Sequence, residues 1–509
     1  MNILLVYPRY PVTFWSFKYS LKFVSKKTAF PPLGLLTIAA MLPKEWNLRL
    51  VDMNIEKLRS KDLEWADYVM LSAMLIQKES VDHVLEQCRR YDKKVIAGGP
   101  LFTAVPDEYK NRIDHLILNE AENTLPLFLK DLENGCPGPI YNSDDFIDMA
   151  ETPIPRWDLI RVKDYATLLV QYSRGCPFNC EFCDVTILFG HRPRLKSTEQ
   201  FLSELQAIYD IGWRGSLFIV DDNFIGNKRA IKAMLPRIIE WMKDHHYPFT
   251  FFTEASINLA EDDELIDLMV KSAFDSVFVG LETPNEASLK ECSKLQNVSL
   301  NVNDAIKKLQ KAGLEVLGGY IIGFDNDDES IFSRQIKFIQ ETGVVTAMVG
   351  LLQALPNTRL WHRLKEEDRL EECATGNNTD GSLNFIPAMD KNLLMDGYRK
   401  MVKTIYSPKY YYQRLSRFLE NYDKPKFAQK RKITSSDLKA FFRSIFYLGV
   451  LGNGISQWYY WKMILKSATF HRRAFPETIT LIIFGHHFRK VAKKMYRSGM
   501  TKNQLTASG

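Results

Sequence analysis

The chain is poor in cysteine. It has seven in 509 residues, an odd number, and three of them fall between positions 176 and 183. A disulfide framework would need an even set behind an export signal. The opening Met1-Asn-Ile-Leu-Leu-Val-Tyr-Pro8 has no basic start, apolar run and small-residue cleavage site, and it reads as a buried first strand. The thiols are therefore expected to be reduced and the protein cytoplasmic. Long apolar runs are scarce too. Residues 444–461 lack charge, but the run is too short, and with its glycines, Asn453 and Gln457 too polar, for a membrane span. No HExxH and no recognisable nucleophile triad is present.

Acidic residues are missing from one region in particular. From Met401 onward there are 21 Lys and Arg against 4 Asp and Glu, a local balance of +17 in a chain whose net charge is +6, which leaves −11 on the first 400 residues. A basic end on an acidic body points to an anionic partner, such as a phospholipid surface, a phosphorylated substrate or nucleic acid, or to a solvated basic helical face. With 46% hydrophobic and 25% charged residues the chain is otherwise an ordinary globular one, long enough for two or three domains.

The pattern along the chain predicts an α/β protein. Residues 1–135 alternate β-branched runs, at 3–7, 48–52, 68–72, 95–99 and 115–119, with helical stretches, which predicts a doubly wound parallel sheet. Ligands of such sheets sit at the carboxyl ends of the strands. There the chain places Pro31-Pro-Leu-Gly34, Ser72, Gly98-Gly99-Pro100 and Asn119-Glu120. Glycines at these points admit close backbone approach to a ligand, or simply make tight turns. Residues 136–166, with Cys136-Pro-Gly-Pro and Thr152-Pro-Ile-Pro155, read as a linker. Residues 167–384 hold six more strand candidates, at 168–172, 216–221, 249–253, 276–280, 316–322 and 347–352, and predict a partial (β/α)6 barrel. A polar group follows each of these strands: the cysteines, Asp221-Asp222-Asn223, Glu254 with Ser256, Glu282, Asp325 and Gln353. Each alone is a plausible helix cap, but barrels gather their chemistry at strand ends. Residues 385–509 are a basic helical C-terminal region with aromatic clusters at 410–412 and 458–461, either a lid on the barrel or an interfacial helix.

The cysteines of Gly175-Cys-Pro-Phe-Asn-Cys-Glu-Phe-Cys-Asp184 have the spacing C-x3-C-x2-C. A structural zinc site needs four ligands, and Cys88, Cys136, Cys292 and Cys373 are isolated in sequence, which leaves His191 as the candidate fourth ligand of a zinc alternative. A [4Fe-4S] cluster on three thiolates instead keeps one iron free to bind and activate a small molecule.

This loop resembles that of the radical S-adenosylmethionine (SAM) superfamily. With Arg192-Pro-Arg-Leu-Lys-Ser197, Val220-Asp-Asp-Asn-Phe-Ile-Gly226, Thr253-Glu-Ala-Ser256 and Val279-Gly-Leu-Glu-Thr-Pro284 it is similar to the subgroup that carries an N-terminal cobalamin-binding domain and a C-terminal helical region and includes hopanoid C-2 methylases. The resemblance implies a [4Fe-4S] cluster on Cys176, Cys180 and Cys183, with SAM chelating the open iron. It implies SAM contacts from Phe182, Asp221, Asp222, Glu254, Ser256, Glu282 and Gly323, and cobalamin contacts from Ser72, Gly98, Gly99, Pro100 and Glu120. The loop after the first strand, Tyr7-Pro-Arg-Tyr-Pro11, lacks the Asp-x-His-x-x-Gly motif that supplies a cobalt ligand in other cobalamin domains, so the lower ligand is left open. The implied reaction is methylation of an unactivated carbon through a 5′-deoxyadenosyl radical and methylcobalamin. The substrate would be a lipid or other large apolar molecule, the electron donor a flavodoxin or ferredoxin, and the basic region a peripheral contact at the inner face of the membrane, with no nucleic acid. A non-methylating rearrangement or oxidation is the alternative, and a zinc-stabilised nucleic-acid binder a more distant one.

Overall fold

The computed structural model describes residues 1–372, 374–377, 379–423 and 435–498. Cys373 and the cations of 424–434 and 499–509 lie outside them, as do the side chains of residues 435, 436, 497 and 498.

Strands β1 (Asn2–Tyr7), β2 (Asn47–Asp52), β3 (Tyr68–Ser72), β4 (Lys94–Gly98), β5 (His115–Ile117) and β6 (Ile140–Tyr141) form one sheet in the order β2-β1-β3-β4-β5-β6, with every pairing parallel. Alternate residues of β1 enter opposite cores. Leu4 and Val6 pack with Val69 and Val84 on one face, and Ile3 and Leu5 with Met70 and Phe128 on the other. This is why the strand reads as an unbroken apolar run: helices cover both of its faces. The strand order reverses between β1 and β3, the crevice where sheets of this kind take their ligands. β6 lies inside the segment that the sequence presents as a linker. Pro139 precedes it, and two residues added beside β5 make a short edge strand, the place in a sheet where proline is tolerated.

The second sheet comprises β7 (Leu168–Val170), β10 (Ser216–Ile219), β11 (Thr250–Glu254), β12 (Phe274–Glu282), β13 (Glu315–Ile322) and β14 (Ala347–Leu351), all parallel and in that order. A small antiparallel hairpin, β8 (Ser173–Arg174) with β9 (Arg194–Leu195), follows β7 and frames the cysteine loop. β7 and β14 are unpaired with each other, so the sheet is an open arc of six strands. Its outer face is packed: Phe251, Val277 and Val316 are buried in one core with Ile231, Met269 and Ile306 of the surrounding helices. Its inner face is different, because Phe218, Phe252 and Phe278 there are only half-buried.

The carboxyl edges of the two sheets face each other. Asn357 Nδ2 donates to Ala104 O at 3.3 Å, Arg174 reaches Glu120, and Thr28 bridges to Tyr165. Helices Lys391–Ile405 and Pro408–Asn421 close the end of the arc, where the Tyr398 hydroxyl donates to Val349 O at 2.9 Å and the buried Arg414 guanidinium donates to Ile405 O and Gln340 Oε1. The last helix, Phe475–Ser498, returns to the first domain. There His487 Nε2 donates to the carbonyls of Thr13 and Phe14, while Nδ1 accepts from Tyr19 N. Among the described residues no helix is long and apolar enough to cross a membrane.

Candidate active site

The cysteine loop is shaped by its backbone. Gly175 has φ +94, and a Cβ there would lie 2.9 Å from the carbonyl oxygens of Phe189, Gly190 and Arg192, so only glycine fits. Its N–H donates to Asp222 Oδ2 at 3.0 Å, and Cys176 N donates to Gly190 O at 3.2 Å. The far side of the loop is tied down as firmly. Glu181 N donates to Cys292 O at 2.9 Å, and the Glu181 carboxylate takes Arg363 Nε at 2.7 Å. Arg363 also holds Asp325, which Arg369 pairs as well, so the Asp325 carboxylate is spent on the scaffold. Phe182 faces the Phe324 ring at 6.3 Å.

Cys176, Cys180 and Cys183 are free thiols of intermediate exposure. Gln296 Nε2 lies 3.9 Å from Cys180 Sγ. A fourth thiol, Cys292, is fully buried beside them, but its Sγ donates back to Leu289 O at 3.6 Å. Burial raises the thiols of Cys176 and Cys183, so ionising them calls for a cation in their midst, which an iron–sulfur core supplies. This donor set fits a cluster held at three corners. No group of three His, Cys, Asp or Glu among the described residues could hold a single metal ion, and His191, the fourth ligand of the zinc alternative, is exposed.

Around the thiols the strand ends converge. β12 shifts register between Gly280 and Glu282, and Glu282 has φ +57, a conformation costly for a residue with a side chain and one that collects at functional sites. The bulge aims its carboxylate at the half-buried Lys294, whose Nζ is 2.9 Å away. Burial acts to lower Lys294, yet Glu282 and the thiols of Cys180 and Cys183 hold it above the usual lysine range. Glu254, at the end of β11, is raised to about 8 by burial and then by Asp222, with Lys294 acting the other way. Burial also raises Asp222 to about 6 and Asp221 to about 7. Their partners differ. Asp221 accepts from Tyr172 N and the Ser173 hydroxyl and fastens the β7–β8 turn, whereas Glu254 stands within electrostatic reach of both Asp222 and Lys294. Ser256 donates to Asn258 Oδ1 and shares hydrogen bonds with Asn223. Gly323 has φ +107 and donates to Asp327 Oδ2.

On the facing sheet, Ser72, Gly98, Gly99 and Pro100 are half-buried at the carboxyl ends of β3 and β4. Gly99 has φ +94, and a Cβ there would lie 2.7 Å from Ser72 Oγ. A Cβ on Gly98 would meet Ile117 O at 2.6 Å. The glycines thus keep the floor of the crevice flat, which suits a broad planar ligand. Glu120 is placed differently. Its side chain is 2% exposed, and its two oxygens take Arg174 Nη1 and Arg194 Nη1 at 2.8 Å each, with Ile147 N at 2.9 Å.

Sequence reasoning missed Lys294 and Gln296 and took Cys292 only as an isolated cysteine; all three lie beyond β12 with no motif to mark them. It also missed the aromatic wall. Phe218 and Phe252 stack at 4.4 Å, Phe30 of the first domain lies 5.8 Å from Phe218, and Trp15 lies 4.9 Å from Phe278. The available signal was one phenylalanine at an inward position of each of β10, β11 and β12, among neighbours on that face, Ser216, Thr250 and Ser276, that are polar.

Comparison with known proteins identifies the family. Residues 23–129 match the B12 binding domain, 170–333 the radical SAM superfamily and 358–500 a domain of unknown function, DUF4070. The chain is 42% identical over 491 residues to an uncharacterized methyltransferase of Synechocystis, covering 96% of this chain and 91% of that protein. It is 36% identical over 399 residues to the hopanoid C-2 methylase of Rhodopseudomonas palustris, covering 77% and 75%. In fold it is similar to the cobalamin-dependent SAM radical enzyme OxsB, with TM-score 0.61 and 16% identity over 99% of this chain and 80% of that one. The radical SAM methyltransferase TsrM of Kitasatospora setae aligns with TM-score 0.56 and 14% identity over 72% and 76%. The chain belongs to the cobalamin-binding radical SAM methyltransferase family, whose cofactors are SAM, a [4Fe-4S] cluster and cobalamin.

Proposed function

We propose that this enzyme methylates an unactivated carbon of a large apolar molecule, a lipid by class, bound between the two facing sheets. The observation that carries the reading is the aromatic wall: Phe218, Phe252 and Phe278 line the inner face of the arc, with Phe30 and Trp15 of the first domain beside them, and remain half-buried. Half-buried aromatic rings on the inside of a sheet are idle surface unless an apolar ligand covers them. When bound, the cluster and SAM supply a radical that removes a hydrogen atom from carbon, and cobalamin supplies the methyl group.

The residues of the chain bind, align and exclude water. Cys176, Cys180 and Cys183 hold the cluster. Phe182, Glu254, Ser256, Glu282 and Gly323 surround SAM, with Lys294 fixing the Glu282 carboxylate. Asp221 and Asp222 hold the loop that carries the first cysteine. Ser72, Gly98, Gly99 and Pro100 form the seat of cobalamin, and Glu120 locks that domain to Arg174, two residues before Cys176. The wall would hold the apolar substrate in place and keep water away from the reactive radical. The protein works in the cytoplasm and takes its electron from a flavodoxin or ferredoxin.

The test is anaerobic reconstitution with hydroxocobalamin, a reductant and SAM carrying a deuterated methyl group, incubated with a total lipid extract. The expected results are 5′-deoxyadenosine and a deuterated methyl mass shift in an apolar product. Cys176→Ala, Cys180→Ala and Cys183→Ala each abolish both. Label confined to polar products overturns the substrate class, and deoxyadenosine without any methyl transfer favours a rearrangement or oxidation instead.

A further inference from the structure

The C-terminal region carries an apolar surface that the active site does not use. Helix Ser435–Ser444, the wider turn Ile445–Val450 and helix Gly454–Phe470 fold into a hairpin. Its seam is closed: Gln457 Nε2 and Trp461 Nε1 donate to Gly449 O, and the Ser444 and Tyr460 hydroxyls share a hydrogen bond at 2.9 Å. The buried side of the second helix is Tyr460, Met463, Ile464 and Ser467. The outer side is just as apolar. Ile455 is 70% exposed, Leu451 62% and Trp458 58%, with Leu465 two turns beyond Trp458. The first limb repeats the pattern every fourth residue, with Leu438, Phe442, Phe446 and Val450 all exposed. Surface apolar residues scattered singly need no explanation, but a continuous set at the end of a hairpin does.

Charge identifies the occupant. Residues 444–461 contain no Asp, Glu, Lys or Arg, and 438–476 contain no acid at all. The cations of this stretch sit behind the apolar end, Lys439 and Arg443 on one limb and Lys462 and Lys466 on the other, followed by Arg472 and Arg473. Lys22 of the first domain joins them, its Nζ 4.2 Å from the Tyr447 ring, and Lys462 lies 4.9 Å from the Trp458 ring. An uncharged end, aromatic rings behind it and a collar of cations is the profile of a bilayer interface: hydrocarbon, then the headgroup belt, then anionic phosphate. A second copy of this chain would bring two cationic collars together. With no helix among the described residues able to cross, the hairpin would dip into one leaflet.

We propose that the hairpin of residues 438–470 is a monotopic anchor for anionic membranes. Arg443 donates to the carbonyls of Lys22 and Phe23, which joins the anchor to the segment leading through Trp15 into the aromatic wall. That link to an apolar substrate rests on the function proposed above, but the anchor does not, and its test uses neither SAM nor turnover.

The full-length protein is mixed with vesicles of phosphatidylcholine and phosphatidylglycerol and floated on a density gradient. The wild type is expected to float at 0.1 M salt and less so at 1 M, and to float poorly with phosphatidylcholine alone. Leu451→Ser with Ile455→Ser and Trp458→Ala should lower partitioning at least tenfold, while Ile386→Ser, an exposed apolar residue elsewhere, leaves it unchanged. All three replaced side chains are exposed, and an unchanged melting temperature verifies that the fold survives. No flotation of the wild type, or flotation indifferent to the triple change, overturns the proposal. So does a lipid-free dimer or a complex with an acidic protein that the triple change dissolves. Loss of deoxyadenosine formation in the cysteine variants tests the catalytic reading separately and leaves flotation untouched.

Discussion

Glu120→Ala offers the sharpest test of how the two domains are held together. The carboxylate sits before helix Ala121–Glu133, and each of its oxygens takes an arginine from the hairpin that frames the cysteine loop. Glu122 takes the other end of Arg174, at 2.7 Å. The side chains of Glu120, Glu122, Arg174 and Arg194 are 2%, 6%, 11% and 18% exposed. Solvent therefore screens little of the interaction, and removing one carboxylate leaves guanidinium charge without a partner in a low-dielectric interface. Breaking a buried pair in this way costs about 3–5 kcal/mol. Because Glu122 still holds one end of Arg174, the orphaned group is chiefly Arg194, which places the expected cost near the lower value. A chain of several domains does not unfold in one step, so the loss should be read locally. Hydrogen–deuterium exchange should show amides of β8, β9 and residues 121–125 losing protection by about a hundredfold, the equivalent of ~3 kcal/mol. Arg194→Ala in the Glu120→Ala background should recover part of it, because it removes the stranded charge. A single variant within about 0.5 kcal/mol of wild type, or a double-mutant cycle with no coupling, would refute the argument. The experiment also separates two roles for Glu120. A direct cobalamin contact predicts lost cobalamin retention with unchanged protection, whereas an interface lock predicts the reverse order of effects.

Two further outcomes follow from single residues. Gly99→Ala forces a side chain into φ +94 with its Cβ 2.7 Å from Ser72 Oγ, which should cost roughly 1–3 kcal/mol in strain and weaken hydroxocobalamin binding in an absorbance titration; unchanged binding and melting would show that the crevice floor is soft. Glu315, hydrogen-bonded by the Thr346 hydroxyl, is raised from 4.5 to about 7 by burial and then by Asp275 and Glu477. The folded protein thus keeps a proton that the unfolded chain releases near pH 4.5, so this group makes stability fall as pH rises from about 4.5 to 7, and Glu315→Gln should flatten the melting-temperature profile across that window.

What was legible in the sequence was whatever local chemistry dictates. Both parallel sheets could be read because short β-branched and aromatic runs recur between helical stretches, unbroken where both faces are covered, and those runs come out as β1 to β5 and as the arc from β7 to β14. The cysteine spacing is equally local, since a loop that presents three thiols to one centre needs them a few residues apart. Tertiary structure decided the rest. β6 became a strand only because β5 offered it an open edge. Lys294 meets Glu282 through a bulge in β12, and no residue pattern announces where a strand will shift register. Glu120, written in the sequence as one more polar residue at a strand end, was assigned by partners more than fifty positions away. The aromatic wall and the exposed hairpin are made of ordinary apolar residues, and only the fold determines which of them find a covering neighbour and which are left facing outward. Spacing in sequence fixes what a loop can bind, whereas burial is a property of the whole chain.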